Sequence, residues 1–308
     1  MSNSSIVVGK KSIIIGIVAV AIIAVIALVQ YKNSKIESEI IAFLDDSNAN
    51  ASKLGASLEY SSVKCNGLIS TDCSVKNLEL GTLFFEKMSI DEININGVEK
   101  LEGFKKISSN ESSNAAFDLE IKNLYVPDSL LSMMLNDMSE DYAQDSLLSI
   151  FQNVDIALKG DVDGDGAYFK TLNIDKFRMN NNLMPFEFSM KARELDVAEP
   201  MGMLLDSMVV ETEYKDMDFL SRIISGVYDD VSNDELKTLA LESIEQDLIS
   251  GEQSHMEHKF LVALKDLLSG KGSKISLKIA AKGSDVKFYE LESSDDVEDR
   301  FNISIEVK

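Results

Sequence analysis

Three carboxylates alternate along a short segment of the chain and could bind a divalent cation. Asp161, Asp163 and Asp165 occupy positions 1, 3 and 5 of a segment whose sixth residue is Gly166. Calcium prefers oxygen ligands, and its loops use a glycine at position 6 for a sharp turn. Position 12, where a bidentate Glu should complete the shell, is Leu172. The segment therefore predicts either a calcium site at the three Asp residues or a charged hairpin turn.

The only two histidines, His255 and His258, are three positions apart on a predicted helix and could face one metal ion. The order H-E-x-x-H is absent, and no third ligand has a fitting spacing. The chain also lacks G-x-S-x-G, and neither cysteine is beside a histidine, so acyl transfer has no support. We interpret both histidines as surface residues and predict no catalytic residue.

Two further segments carry charged groups. The run Gly270-Lys271-Gly272-Ser273-Lys274 lacks the spacing of a phosphate loop and is explained by a helix end and a turn. A pair of carboxylic acids for glycoside hydrolysis stays an alternative, because a sequence does not show the distance between two carboxyl groups. Apart from calcium, no cofactor is predicted. An acidic cluster near the C terminus indicates a solvated loop, with loose cation binding as the alternative: Glu290, Glu292, Asp295, Asp296, Glu298 and Asp299.

The two cysteines predict a disulfide. Cys65 and Cys73 are eight positions apart, around Gly67 and Asp72, and a disulfide could close this spacing across a hairpin. The alternative is two buried free thiols. A C-x-x-C redox or zinc arrangement is absent.

The charge balance of the chain limits its partners. Against 30 Lys and Arg stand 52 Asp and Glu, which gives a net charge of -22 over 308 residues. Because a phosphate-binding surface would oppose this field, nucleic acid is not an expected partner. The apolar fraction of 45% is sufficient for a sizeable core and argues against disorder.

A segment without charges, residues 12–31, predicts one transmembrane helix, because about 20 residues at ~1.5 Å each cover the ~30 Å hydrocarbon core. A cleaved secretory signal is the alternative, but its apolar region usually has only ~7–15 residues. The flanking lysines are balanced, so they do not set the orientation. The acidic remainder and the predicted disulfide favour the outside of the cytoplasm, and the bias toward Lys, Ile and Asn is typical of an AT-rich bacterial genome. The predicted localisation is the bacterial inner membrane, single pass, with a periplasmic C-terminal domain.

Apolar periodicity predicts an α+β fold, in which the transmembrane helix is followed by a largely antiparallel, curved β-sheet domain with inserted helices. The predicted parts are a short cytoplasmic tail (1–11), the transmembrane helix (12–31), a helical stalk and linker (32–57) and a periplasmic domain (58–308). The first strands are predicted at 58–64, 74–80, 83–88 and 90–95. Helices are predicted at 127–151, 200–208, 218–228, 232–249 and 255–268, with a break in the stalk at 46–52. A late strand is predicted at 286–291.

A short pattern, aliphatic-Lys-Asn-Leu-x-aliphatic, occurs at residues 75–80 and again at 121–126, with a loose echo at 172–177. Together with the N-terminal apolar segment and the many short strands, it resembles the AsmA-like and YdgA-like bacterial envelope proteins. The resemblance implies one N-terminal helix, a strand-rich periplasmic body and, for the AsmA-like members, lipid handling between membranes. It transfers no site residue to this chain.

These features predict a membrane-anchored, non-enzymatic periplasmic protein whose sheet binds a lipid or another apolar ligand in envelope maintenance. Its partners would be the membrane, through residues 12–31, and a lipid or an envelope protein. The alternative is an assembly or scaffold subunit that contacts another envelope protein through its acidic face or its transmembrane helix. A third hypothesis is a hydrolase that uses carboxylates or the Asp161 loop.

Overall fold

The computed structural model describes residues 34–53, 56–66, 70–82, 86–128, 153–225, 231–250, 255–291 and 297–308. The chain divides into two compact units, Met1–Ala157 and Leu158–Lys308.

Among the residues that the structure describes, an antiparallel sheet of eleven strands is the main element. The hydrogen-bonded order is β1-β3-β4-β5-β6-β7-β8-β9-β10-β11, and β2 pairs with β3 beside this path. The strands are β1 (Ala56–Glu59), β2 (Ser62–Asn66), β3 (Asp72–Thr82), β4 (Met88–Ile95), β5 (Ser113–Tyr125), β6 (Val154–Asp165), β7 (Tyr168–Asn180), β8 (Phe186–Asp196), β9 (Leu204–Glu213), β10 (Lys274–Ala281) and β11 (Phe301–Val307).

The predicted α+β class is wrong, because the chain is mostly one large antiparallel sheet with few helices. Strands continue where turns or helices were expected. The predicted helix at 200–208 is only a short 3-10 helix (Pro200–Gly202), and β9 follows it directly. The predicted strand at 286–291 contains a 3-10 helix (Phe288–Leu291) instead. Most of the predicted helix 127–151 lies outside the described residues.

The predicted membrane span, residues 12–31, also lies outside the described residues. Within the part of the chain that the structure describes, no helix has the length and apolar character needed to cross a membrane. This finding contradicts the predicted transmembrane, single-pass localisation in the bacterial inner membrane.

The first unit places one long helix against the start of its sheet. Helix α1 (Ser34–Lys53) buries Ile36, Ile40 and Leu44, whose spacing of four residues forms one apolar stripe. The helix continues through 46–52, where the sequence predicted a break. Asn48 explains part of this continuation, because its Oδ1 accepts a hydrogen bond from the Leu58 backbone N–H at 3.0 Å. Helix α2 (Glu102–Ser108) packs on β5 later in the unit.

Within its described residues, the second unit combines strands β7 to β11 with four helices. These are α3 (Met217–Ser225), α4 (Asn233–Ser250), α5 (His255–Leu268) and α6 (Val297–Arg300). One buried cluster joins α3, α4 and α5 to Ile275 of β10, with Leu220, Ala240, Ile244 and Leu267 at its centre. A second cluster lies at the other end of the same strands and contains Ala192, Leu205, Ile279, Val286 and Phe301.

Candidate functional site

A row of apolar side chains crosses five neighbouring strands of the second unit. Directly opposed residues of antiparallel strands project from the same face of a sheet. Every member of the row is only half-buried, so this face keeps apolar surface in contact with solvent. The row runs through the register partners Phe177, Phe188, Val210, Leu277 and Ile305.

A cavity of about 500 Å³ lies where α4 and α5 face the end of this row. Small-molecule sites in proteins typically enclose about 300–1,000 Å³ and have mostly apolar walls. The lining residues come from four elements, α4, α5, β10 and β11. They comprise an apolar group, Met256, Phe260, Leu261, Leu277 and Ile305, and a polar group, Asp247, Ser250 and Glu257.

Helix α5 supplies the apolar wall because its apolar stripe extends beyond the part that is buried in the helical cluster. Leu264 and Leu267 are buried in the helical cluster. Phe260 and Met256 precede Leu264 by one and two turns and continue the same stripe, since residues four apart share a helix face. They therefore reach beyond the packed core and line the cavity.

The C-terminal end of α5 is fixed by a glycine. Gly270 has a φ of 78°, which is in the left-handed region that suits glycine. Its N–H donates to the Leu267 carbonyl at 2.9 Å, and the Lys271 N–H donates to the Asp266 carbonyl at 3.0 Å. These bonds end the helix as the glycine-rich segment predicted, and the chain turns directly into β10 below the cavity.

Large apolar side chains remain exposed near the cavity. Phe260, which lines it, is 40% exposed, and Ile249, the neighbour of the lining residue Ser250, is 82% exposed. Exposed apolar side chains that lie together commonly mark a binding surface. Val262 is also 40% exposed on α5, but it does not line the cavity.

The charged groups near the cavity are mainly acidic. Two lysines of α5 form ion pairs with other elements: Lys259 Nζ lies 3.0 Å from Glu298 Oε1, and Lys265 Nζ lies 2.8 Å from Glu245 Oε1. On the opposite face of β9, hydrogen bonds from Lys274 and Lys308 lower the pKa of Glu211 to about 2. All four lysines are thus paired with carboxylates that do not line the cavity.

The three predicted calcium ligands lie on strand β6 and not in a loop. Asp161, Asp163 and Asp165 are at every second position of the strand and therefore lie on the same face of it. Residues two apart on a strand are separated by about 6.6 Å. Asp161 Oδ1 accepts a hydrogen bond from Asn173 Nδ2 at 3.0 Å. Among the described residues, no three His, Cys, Asp or Glu side chains lie together so that they could hold a metal ion. Calcium binding by this segment stays a prediction.

The structure joins the two cysteines in a disulfide. Cys65 of β2 and Cys73 of β3 are direct register partners, and their Sγ atoms are 2.11 Å apart. The strands at this point are the two arms of the hairpin that the spacing suggested.

The histidines and the acidic cluster do not form a shared site among the described residues. His258 lies exposed in the first turns of α5, the helix that begins at His255. Glu290 accepts a hydrogen bond from Arg300 Nε at 3.0 Å, and Glu298 pairs with Lys259. Residues 292–296, which hold the middle of the acidic cluster, lie outside the description.

Sequence reasoning missed the cavity because its walls come from segments that are distant in the chain. The signals were present in part: β11 alternates Ile303 and Ile305, and α5 carries Met256 and Phe260 on its apolar stripe. Neither pattern shows that the stripe is longer than the surface that buries it.

Comparison of the chain with known family models and with curated proteins found no match. The resemblance to the AsmA-like and YdgA-like proteins therefore stays a prediction. Function is inferred from the geometry of the cavity and of the sheet face beside it.

Proposed function

We propose that this protein binds a small apolar or amphipathic ligand, such as a lipid, in the cavity between α4, α5 and the β10–β11 part of the sheet, without acting as an enzyme on it. The observation that carries this proposal is the cavity of about 500 Å³ with Met256, Phe260, Leu277 and Ile305 in its walls. Its size and its apolar lining fit one ligand of this class.

The half-buried row on the sheet supports the same function. A ligand chain that lies on Leu277 and Ile305 removes apolar surface of the protein and of the ligand from water together. Such burial contributes roughly 0.8 kcal/mol for each CH₂ group. The row continues from Leu277 through Val210 to Phe188, so a long alkyl chain finds further apolar surface along the strands.

The binding test uses Nile red, a neutral apolar dye whose fluorescence rises in apolar surroundings. Titration of the full chain with the dye is expected to saturate at one site. Phe260→Ala removes an aromatic wall of the cavity and is expected to weaken dye binding about tenfold, a change of about 1.4 kcal/mol. Both residue types are compatible with a helix, and Phe260 is partly exposed, so the fold is expected to persist.

Val262→Ala is the matched control, because Val262 is on the same helix and has the same exposed fraction but does not line the cavity. It is expected to leave the affinity for the dye unchanged. Equal effects of the two substitutions, or a titration that does not saturate, would contradict the proposal. A scaffold that binds another protein would then be the better hypothesis.

A further inference from the structure

The last strand of the sheet, β11, has a neighbour on one side only. In the hydrogen-bonded order β11 is terminal, and among the described residues β10 is the strand that pairs with it. At one end of the pair, the Lys308 N–H donates to the Lys274 carbonyl at 2.8 Å, and the Lys274 N–H donates to the Lys308 carbonyl at 3.1 Å. At the other end, the Lys282 N–H donates to the Arg300 carbonyl at 2.8 Å. The even-numbered residues of β11 therefore direct their backbone groups toward β10.

The odd-numbered residues of β11 direct their backbone groups outward, because the two kinds of residue pair alternate along antiparallel strands. These outward N–H and C=O groups belong to Ile303, Ile305 and Val307. Helix α5 packs on the face of β11, whereas the outward groups point sideways in the plane of the sheet. The row is continuous, since β11 contains no proline and its register with β10 has no bulge. Proteins usually interrupt such an edge with proline, a bulge or several charges.

The edge strands of the first unit show how this chain protects an edge elsewhere. Strands β1 and β2 are short, with four and five residues, and both pair with β3. Helix α1 supplies acceptors for their backbone: Asn48 Oδ1 accepts from the Leu58 N–H at 3.0 Å, and Glu37 Oε2 accepts from the Cys65 N–H at 3.3 Å. In the described part of the chain, no side chain or loop binds the outward row of β11 in this way.

The exposed face of β11 is complementary to a second copy of itself. When two copies lie antiparallel about a two-fold axis through Ser304, all seven residues of the strand have a partner. Ser304 then faces Ser304 of the second copy, and Asn302 faces Glu306, so an amide donor meets a carboxylate. All three residues are exposed. No pair places like charges opposite each other, which would destabilise the pairing.

The other face of β11 is complementary in the same register. Ile303 faces Ile305 of the second copy and Phe301 faces Val307, so every pair on this face is apolar. Ile305 is the last member of the half-buried apolar row of the second unit, and Ile303 of the second copy continues that row. Pairing of the two strands therefore also removes apolar surface from water.

We propose that β11 is a dimerisation strand, through which two copies of the chain pair edge to edge about a two-fold axis at Ser304. Addition of a strand to an exposed sheet edge is a common mode of protein recognition, and a two-fold axis requires a self-complementary surface. The partner is a second copy because β11 supplies both halves of each complementary pair. The proposal is independent of the ligand proposed for the cavity.

Cysteine crosslinking of the full chain tests both the pairing and its register. Ser304→Cys places a thiol opposite its own copy at a non-hydrogen-bonded pair, where Cα atoms about 4.5 Å apart are within reach of a disulfide. Asn302→Cys is the matched control, since Asn302 is exposed on the same face of the same strand. Its two copies would be four residues apart along the strand direction, about 14 Å, which is too far for a disulfide. Under mild oxidation, we expect Ser304→Cys to form covalent dimer about tenfold faster than Asn302→Cys on a non-reducing gel.

Ser304→Glu tests the dimer without a crosslink. Within one chain the new carboxylate lies opposite Lys278 of β10, so the strand is expected to persist, whereas in the dimer two carboxylates face each other at the axis. By analytical ultracentrifugation of the full chain, we expect the dissociation constant of the dimer to rise about tenfold. The measurement uses about 0.15 M salt, which screens the repulsion between two chains of net charge -22.

Ser189→Glu is the control for charge, because it adds the same charge to the same face of the sheet three strands from β11. It is expected to leave the dissociation constant unchanged. Equal effects of the two glutamate substitutions would overturn the proposal, and so would a dimer that Ser304→Glu leaves intact, since another part of the chain would then hold it.

The crosslinking results can also overturn the proposal. Equally fast crosslinking at both positions would indicate random collision of exposed thiols. Faster crosslinking of Asn302→Cys would exclude the register with Ser304 at the axis. Absence of crosslinking by Ser304→Cys would exclude the dimer and leave the edge of β11 to a strand of another protein.

Discussion

Asn77 in β3 and Asn123 in β5 both have a left-handed backbone, with φ of 50° and 51°, at equivalent places on either side of Asp91 in β4. The flanking residues repeat as well: Lys76 and Lys122 are both register partners of Glu92, and Leu78 and Leu124 are both partners of Ile90. The pattern that recurs at 75–80 and 121–126 in the sequence is therefore one local structure, present in two strands that flank the same neighbour.

The side chains at these positions hold the strands together. Asn123 Nδ2 donates to Asp91 Oδ2 at 2.8 Å, and the Asn123 backbone N–H donates to Asp155 Oδ1 at 2.8 Å. Asn77 Nδ2 donates to Ser61 Oγ at 3.0 Å. Asparagine suits this role because it tolerates positive φ better than most residues and offers an amide for hydrogen bonding.

Replacement of Asn123 separates the contribution of its left-handed backbone conformation from that of its side-chain hydrogen bond. Asn123→Ala places an ordinary side chain at positive φ and removes the hydrogen bond to Asp91, and we expect the free energy of unfolding to fall by about 2 kcal/mol. Asn123→Gly removes only the hydrogen bond and suits the backbone, so we expect a loss of about half that size. Unfolding in urea measures both. Equal losses, or a larger loss for the glycine variant, would show that backbone conformation does not limit this position.

Glu211 predicts a dependence of stability on acid pH. Its carboxylate lies between Lys274 and Lys308, with Lys308 Nζ at 2.8 Å, and these hydrogen bonds lower its pKa from 4.5 to about 2. A depressed pKa means that the stabilisation is present above about pH 4.5 and is lost as the pH falls toward 2. The side chain is 20% exposed, so solvent screens the ion pairs, and we expect a contribution of about 1 kcal/mol.

Urea unfolding of Glu211→Gln at several pH values tests this contribution. The variant is expected to be less stable than the original chain at pH 7 and to approach its stability near pH 2, since protonated Glu and Gln are both uncharged. Glu213→Gln, at the exposed end of the same strand, serves as control and is expected to show a smaller difference at pH 7. A constant difference between Glu211→Gln and the original chain over the whole range would refute the role of the two lysines.

The sequence predicts an element correctly where the residues of that element alone determine its structure. Helix α5 occupies residues 255–268 as predicted, because its apolar stripe and its terminal glycine belong to the same segment. The segment 161–166 behaves differently. Its Asp and Gly residues suit a turn, yet β6 continues to Asp165, and pairing with neighbouring strands outweighs local preference in a sheet. The cavity depends on Phe260 of α5 and Leu277 of β10 lining the same space, which no local pattern contains.

The disulfide is expected to make the free energy of unfolding depend on the redox state of the two cysteines. Cys65 and Cys73 close a short loop, and the chain-entropy description gives a stabilisation of about 2–3 kcal/mol for a loop of this length. The double variant Cys65→Ala/Cys73→Ala is expected to lose this amount in urea unfolding. Reductant should destabilise the original chain and leave the variant unchanged. Resistance of the original chain to reductant, together with an undiminished stability of the variant, would exclude a structural role for the bond.

Gly103 in α2 is a position where helix and sheet approach too closely for any side chain. A Cβ at this residue would lie 1.9 Å from the backbone oxygen of Asn114, which immediately precedes the buried Ala115 of β5. Replacement of glycine by alanine within a helix normally adds about 0.5–1 kcal/mol of stability. Here we expect the opposite, a loss of about 2–3 kcal/mol, because the helix must move away from the strand.

Gly202→Ala is the matched control, since a Cβ there meets nothing within 4 Å, and it is expected to change stability little. Thermal and urea unfolding of both variants measure the difference, and an unchanged or raised stability of Gly103→Ala would show that α2 does not pack on β5 at this distance.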